Sequence, residues 1–257
     1  MLNQTGVVVG ARARVHVRME QLDQALAAAK ETLQLKRDAV AYDPATSVWN
    51  DGLATEASHL AVVHLRRGEF APALEAVELA RRVGAQLALD EGPASKWARQ
   101  LPQLGTQQGF ALAGMGLHAQ ALQVFDTTLA YWEATERTAA NERARTNAAR
   151  TGAMVRAGRA CSSAALGGTP HARDQAAAQT RHAVAALRTL VASEGHAREA
   201  ELNAAEALML LAELLPAERT ALRCEALGWL SKANTATPVA ASNALRLRSL
   251  MRDGTTP

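Results

Sequence analysis

Three stretches of this sequence repeat one pattern at a fixed step. Leu22 to Leu35 reads LDQALAAAKETLQL, Phe70 to Val83 reads FAPALEAVELARRV, and His118 to Tyr131 reads HAQALQVFDTTLAY. Their Ala-Leu pairs, Ala25-Leu26, Ala73-Leu74 and Ala121-Leu122, lie 48 residues apart, twice. Trp49 and Trp97 keep the same step, as do Gly68 and Gly116. A period of this size constrains the fold more than any local motif. Each repeat is a supersecondary unit that cannot bury its apolar face alone, so neighbours must stack.

Within one period, Trp49 to Val83 reads as a helix, a turn at Gly68 and a second helix opened by Pro72. Ala73 falls where the second helix crosses the first, and a small side chain there lets the backbones approach. Val77 and Ala80 continue that face at i+4 and i+7. Gly68 ends the first helix where a left-handed residue is needed, and Pro72 suits the first turn of the next, where its missing N–H costs nothing. Carried along the chain, the pattern predicts helix pairs over about 7–41, 45–89, 95–134, 139–192 and 197–233. A last helix over 238–251 would cap the stack, and 1–257 would form one domain. Ser95 is expected to cap a helix that Pro102 kinks or delays. Thr169 is expected to cap one with Pro170 at its first position. Asp174-Gln175-Ala176 aligns with Asp23-Gln24-Ala25, a step of 55 from Ala121 to Ala176. In the fifth pair Ala221-Leu222 takes the Ala-Leu place.

Leu60-Ala61, His64, Gly68, Phe70, Ala73, Val77 and Ala80 follow the small and large residues of the tetratricopeptide repeat. Gly109, Leu112, Gly116, Ala121 and Phe125 follow it again. The chain resembles that family, whose ordinary period is ~34 residues. The stretch YDPATSVWNDGLA, Tyr42 to Ala54, is similar to the joint of a long-period variety appended to bacterial signalling proteins, including serine/threonine kinases. Thr128 stands where a small Ala is usual, and Gln108 where a Leu is. The resemblance implies an all-α fold, a right-handed α-solenoid of about five antiparallel helix pairs. It also implies that the first helix of each pair lines a concave, partner-binding face. By position that face holds Arg14 and Arg18 of the first pair and Thr55, Ser58, His59, Val62 and Arg66 of the second. The third pair adds Gln103, Thr106, Gln107 and Phe110. The Lys/Asn clamp by which chaperone-tail binders hold a terminal carboxylate is missing, because Ser58 and Val62 occupy matching positions.

The composition agrees with close helix packing: aromatics are 4% of an alanine-rich chain of 257 residues. A formal charge of +3 is no nucleic-acid signature. Cys161 and Cys224 read as free, small, buried thiols. The apolar run near the N-terminus is too short for a signal peptide and arginines follow it; no run approaches a membrane span. The cytoplasm is therefore the expected location.

The sequence carries none of the common catalytic signatures. There is no GxxxxGK[ST] loop, and Gly114-Met115-Gly116 lacks the third glycine of a dinucleotide site. The sequence has no G-x-S-x-G elbow and none of the protein-kinase signatures. HExxH and Cys-x-x-Cys are absent too, and His171 and His182 stand three turns apart, too far to share one zinc. No cofactor or metal is expected. His64 reads as a packed core histidine, Trp49 and Trp97 as seals between successive pairs, and Trp132 and Trp229 as local core. Arg143, Arg150 and Arg156 form an arginine-rich stretch, read either as a solvated face or as a patch for an acidic partner. Glu142 can pair with Arg145.

These observations point to a non-catalytic scaffold that binds a peptide or partner domain. The alternative is the regulatory repeat domain of a bacterial signalling protein whose output domain lies elsewhere. A nucleic-acid-binding helical array is more distant, since it needs a continuous basic stripe across pairs. The partner and the oligomeric state are not written in the sequence.

Overall fold

The structure, a computed structural model, describes residues 9–16, 21–92, 95–192 and 197–233. It is built from helices: α1 (residues 9–16), α2 (Leu22–Tyr42), α3 (Ser47–Arg67), α4 (Phe70–Glu91), α5 (Lys96–Gly114), α6 (His118–Thr138), α7 (Glu142–Gly167), α8 (Pro170–Val191), α9 (Ala197–Leu214) and α10 (Arg219–Ala233). A single 3-10 turn, Pro216–Glu218, precedes α10, and no strand occurs among the described residues. The expected cap over 238–251 and the concave-face residue Arg18 lie outside the described residues.

Backbone contacts divide the chain into two compact units, Met1–Leu117 and His118–Pro257. In the first, α2 packs on α3, α3 on α4 and α4 on α5, while α3 also reaches α5. In the second, the same order holds from α6 to α10, and α7 also reaches α9. Within each unit, α2 to α5 and α6 to α10, every helix thus meets its chain neighbour, and the first helices of successive pairs, α3 with α5 and α7 with α9, also meet. This is the packing of an all-α helical repeat.

The turn between α3 and α4 shows why the glycines recur. Gly68 has φ 73°, its N–H donates to the Leu65 carbonyl at 3.0 Å, and the Glu69 N–H donates to the His64 carbonyl at 2.9 Å. Gly116 has φ 77°, and the same two bonds form from Gly116 to Ala113 (3.0 Å) and from Leu117 to Leu112 (2.9 Å). A left-handed residue is what lets the last carbonyls find donors, and glycine adopts that conformation without a Cβ clash.

The second-helix face predicted from the Ala-Leu pairs is buried in register. Ala25, Ala73, Ala121 and Ala176 hold the crossing point, and Ala29, Val77, Phe125 and Thr180 lie one turn on. Thr32, Ala80, Thr128 and Ala183 follow. Buried Thr32 and Thr180 return their hydroxyls to the i−4 carbonyls, Ala28 and Ala176, at 2.8 Å. Threonine can therefore replace alanine in this seam without an orphaned donor.

Three expectations need correction and a fourth is narrowed. Ala221 is exposed, while Leu222 and Ala226 are buried; the 3-10 turn at Pro216–Glu218 moves the α10 register by one residue. Cys224 is exposed rather than buried. The helix carrying Pro102 starts at Lys96, with Ser95 Oγ accepting from the Trp97 N–H at 3.1 Å, so of the kink and the late start expected at Pro102 the late start does not occur. Trp49 is half-buried and lies against Tyr42, ring centroids 6.0 Å apart, so it does not seal its joint as Trp97 does. Other caps follow the sequence: Thr169 Oγ1 accepts from the Ala172 N–H at 3.1 Å, with Pro170 next to it.

Trp97 shows how one joint closes. It is buried, and its Nε1 donates to Asp51 Oδ1 on α3 at 2.8 Å. Its ring packs against Gly84 of α4, where a Cβ would come within 2.5 Å of Trp97 Cε3.

Candidate functional site

The described residues predicted for partner binding lie on α1, α3 and α5. Asp51 of α3 bonds to Trp97 of α5, and further along Gln107 Nε2 of α5 donates to Ser58 Oγ of α3 at 3.1 Å. Two bonds with nearly constant offset mean that α3 and α5 run parallel, displaced by about one repeat. Ser58 and Gln107 are therefore brought together across a step of 49 residues.

Glu56 is the residue at this face that sequence reasoning missed. It is only 8% exposed, and two side chains reach it: the Arg14 guanidinium of α1, Nη1 at 3.4 Å, and the His59 imidazole, Nδ1 at 3.2 Å. The approach depends on Gly10, where a Cβ would stand 3.0 Å from Glu56 Oε1. A buried carboxyl with hydrogen-bond partners is less costly to hold in the fold than an isolated one. Arg14 and His59 are thus joined through a third residue. Thr55 is half-buried, and its Oγ1 has no hydrogen-bond partner among the described residues. Val62, Arg66, Thr106 and Phe110 are half-buried and Gln103 is exposed.

His64 is a core histidine, as expected. It is buried, with Nδ1 2.6 Å from Glu69 Oε2. Arg67 Nε donates to Glu69 Oε1 at 2.7 Å and also pairs with Asp23 on α2. The hydrogen bond from Arg67, and then that from His64, hold the Glu69 carboxyl below the usual glutamate range. This network ties the start of α2 to the end of α3, which fixes those helices as antiparallel.

Most arginines of α7 are already engaged inside the second unit. Arg145 pairs with Glu142 at 2.9 Å, as its spacing predicts. Arg156 pairs with Glu133 at 3.1 Å, and Arg159 with Asp126. Arg150 reaches Asn147 at 2.6 Å and Asn203 at 3.4 Å. Arg143 is exposed. Cys161, nearby on α7, has its Sγ 3.9 Å from the Leu210 carbonyl of α9. Burial pushes its thiol up to about 11, which keeps it protonated and unreactive at neutral pH.

A second concavity lies on the other side of the first unit, between α2 and α4. It is an open groove of about 620 Å³; Leu26, Leu33, Leu60, Ala76 and Leu79 make its floor, and Lys30, Arg37 and Arg82 line it. Sequence reasoning did not find it, although Leu26, Lys30, Leu33 and Arg37 form a legible i, i+4, i+7, i+11 stripe.

Among the described residues no cluster of His, Cys, Asp or Glu has the makings of a metal site. No described helix is long and apolar enough to cross a membrane.

Left-handed glycine turns, small residues at the helix crossings and first helices stacked in register define the class: a tetratricopeptide-like α-helical repeat. No protein-family model matches the chain, and no curated protein matches it. Among solved structures, the chain is similar to BtubC (BKLC) from P. vanneervenii at 16% identity, over 100% of this chain and 94% of that one, with a TM-score of 0.47. It is also similar to a Podosopora anserina protein described as a kinesin light chain with nearly identical TPR-like repeats, at 14% identity, over 87% of this chain and 98% of that one, with a TM-score of 0.39.

Proposed function

We propose that the chain is a non-catalytic protein-interaction scaffold, and that the face shared by α1, α3 and α5 takes a peptide or partner domain. The observation that carries this reading is the Ser58–Gln107 contact, 3.1 Å across two parallel first helices. It makes a polar ledge of neighbouring repeats, with Arg14, Glu56 and His59 joined beside it. Amide and hydroxyl groups on such a ledge suit the peptide backbone, and Arg14 and Arg66 suit carboxylates.

The test is capture from the native lysate by the wild-type chain and by a triple variant, Arg66→Glu with Gln107→Ala and Phe110→Ala, matched for helicity and Tm. Loss of one captured partner, at least tenfold in recovered amount, supports the proposal. An unchanged set of captured proteins overturns this assignment of the face.

A further inference from the structure

We propose that the groove between α2 and α4 is a second docking site, and that its occupant is an acidic peptide segment with leucine-like side chains from a partner protein. The site is separate from the α1–α3–α5 face, and the inference does not rest on that assignment.

The antiparallel tie from Asp23 to Arg67 and the short turn at Gly68 make α2 and α4 parallel, with both starting at the same end. The groove therefore has two chemically different ends. At the starting end stand Glu75 and the already engaged Glu69. Toward the other end stand Lys30 and Arg37 from α2 and Arg82 from α4. All three cations are exposed and form no ion pair or hydrogen bond among the described residues. The acids that neighbour them on α2 are turned to other groups: Glu31 to Arg12, and Asp38 to Gln34.

Three cations against one uncommitted carboxylate give the groove an excess of positive charge around an apolar floor. That combination selects carboxylates and apolar side chains in one ligand. Such complementarity sets specificity and register more than raw affinity. From Leu26 to Arg37 the groove runs roughly 16 Å at the helical rise of 1.5 Å per residue, the span of about five residues of extended peptide.

The experiment is selection from a displayed library of random 12-residue peptides, on wild type and on the charge-reversed variant Lys30→Glu/Arg37→Glu/Arg82→Glu. All three positions are exposed, so the variant keeps its fold, which circular dichroism verifies. Wild type is expected to enrich peptides combining Asp or Glu with Leu, Ile or Phe. Those peptides should bind the charge-reversed variant at least about tenfold more weakly and lose affinity as salt rises. They should bind the Arg66→Glu/Gln107→Ala/Phe110→Ala variant unchanged. The proposal is overturned if no peptide is enriched, if the enriched set lacks acidic residues, or if the charge-reversed variant recovers the same set. It is also overturned if the enriched peptides are lost on the α3–α5 variant instead.

Discussion

Each unit buries a tryptophan beside a helical glycine, and the two fits differ. In the first unit Trp97 packs close against Gly84, and an added Cβ would stand 2.5 Å from the ring. In the second, Trp132 stands off Gly152, and a Cβ there would meet Trp132 Cβ at 3.6 Å, ordinary van der Waals contact. The difference teaches that a repeat is read from its joints rather than from its helices. Gly84 is there because an aromatic plate needs the space; Gly152 has no such neighbour. The joint one repeat earlier makes the same point. There Lys36 stands 48 residues before Gly84, its stem lies on Gly52, and Trp49, one step before Trp97, is left half-buried against Tyr42.

The strongest way to break the first joint is Trp97→Ala. It removes a buried indole and the bond to Asp51, and should destabilise the chain by about 3–5 kcal/mol in chemical denaturation. A loss below about 1 kcal/mol would mean that Trp97 is ornamental to the joint. Next, Gly84→Ala forces the indole to move and should cost about 1–3 kcal/mol. Gly152→Ala meets no clash and replaces a poor helix former, so it should stabilise by roughly 0.5–1 kcal/mol. Equal effects at the two glycines would erase the contrast.

A pH-dependent effect concerns the α7–α9 joint. In the folded chain the Cys161 thiol is raised from 9.0 to about 11. Between those values the unfolded chain loses its proton first, so stability falls as pH rises through that window. Cys161→Ala should lack this part of the alkaline slope and match wild type at neutral slopes. A wild-type slope identical to the variant's from pH 9 to 11 would show that the thiol is hydrated in the fold.

Much of the fold was legible because its signals are local. The Ala-Leu register, the glycine turns and the Ser95 and Thr169 caps each depend on a few residues along one helix or turn. Trouble began where a neighbour at long range decided the outcome. A one-residue shift in α10 follows from the turn at Pro216–Glu218, which the spacing of Ala221-Leu222 does not reveal. Glu56 reads as a solvated polar residue until α1 approaches through Gly10. The candidate face was partly legible, since Ser58 and Gln107 meet as their positions in the repeat require. The groove between α2 and α4 was not, because its two walls lie a full repeat apart. The arginines of α7 looked available in sequence because their acidic partners, Glu133 and Asp126, sit on α6, more than twenty residues upstream.

The two cysteines differ in a way that makes the chain easy to instrument. Cys161 is held as a neutral thiol against the Leu210 carbonyl, while Cys224 is exposed on α10. A maleimide dye or spin label offered at neutral pH would therefore find one address in the native sequence. A second label placed by substitution in α3 would then read distances between the two units in solution, with and without a bound peptide.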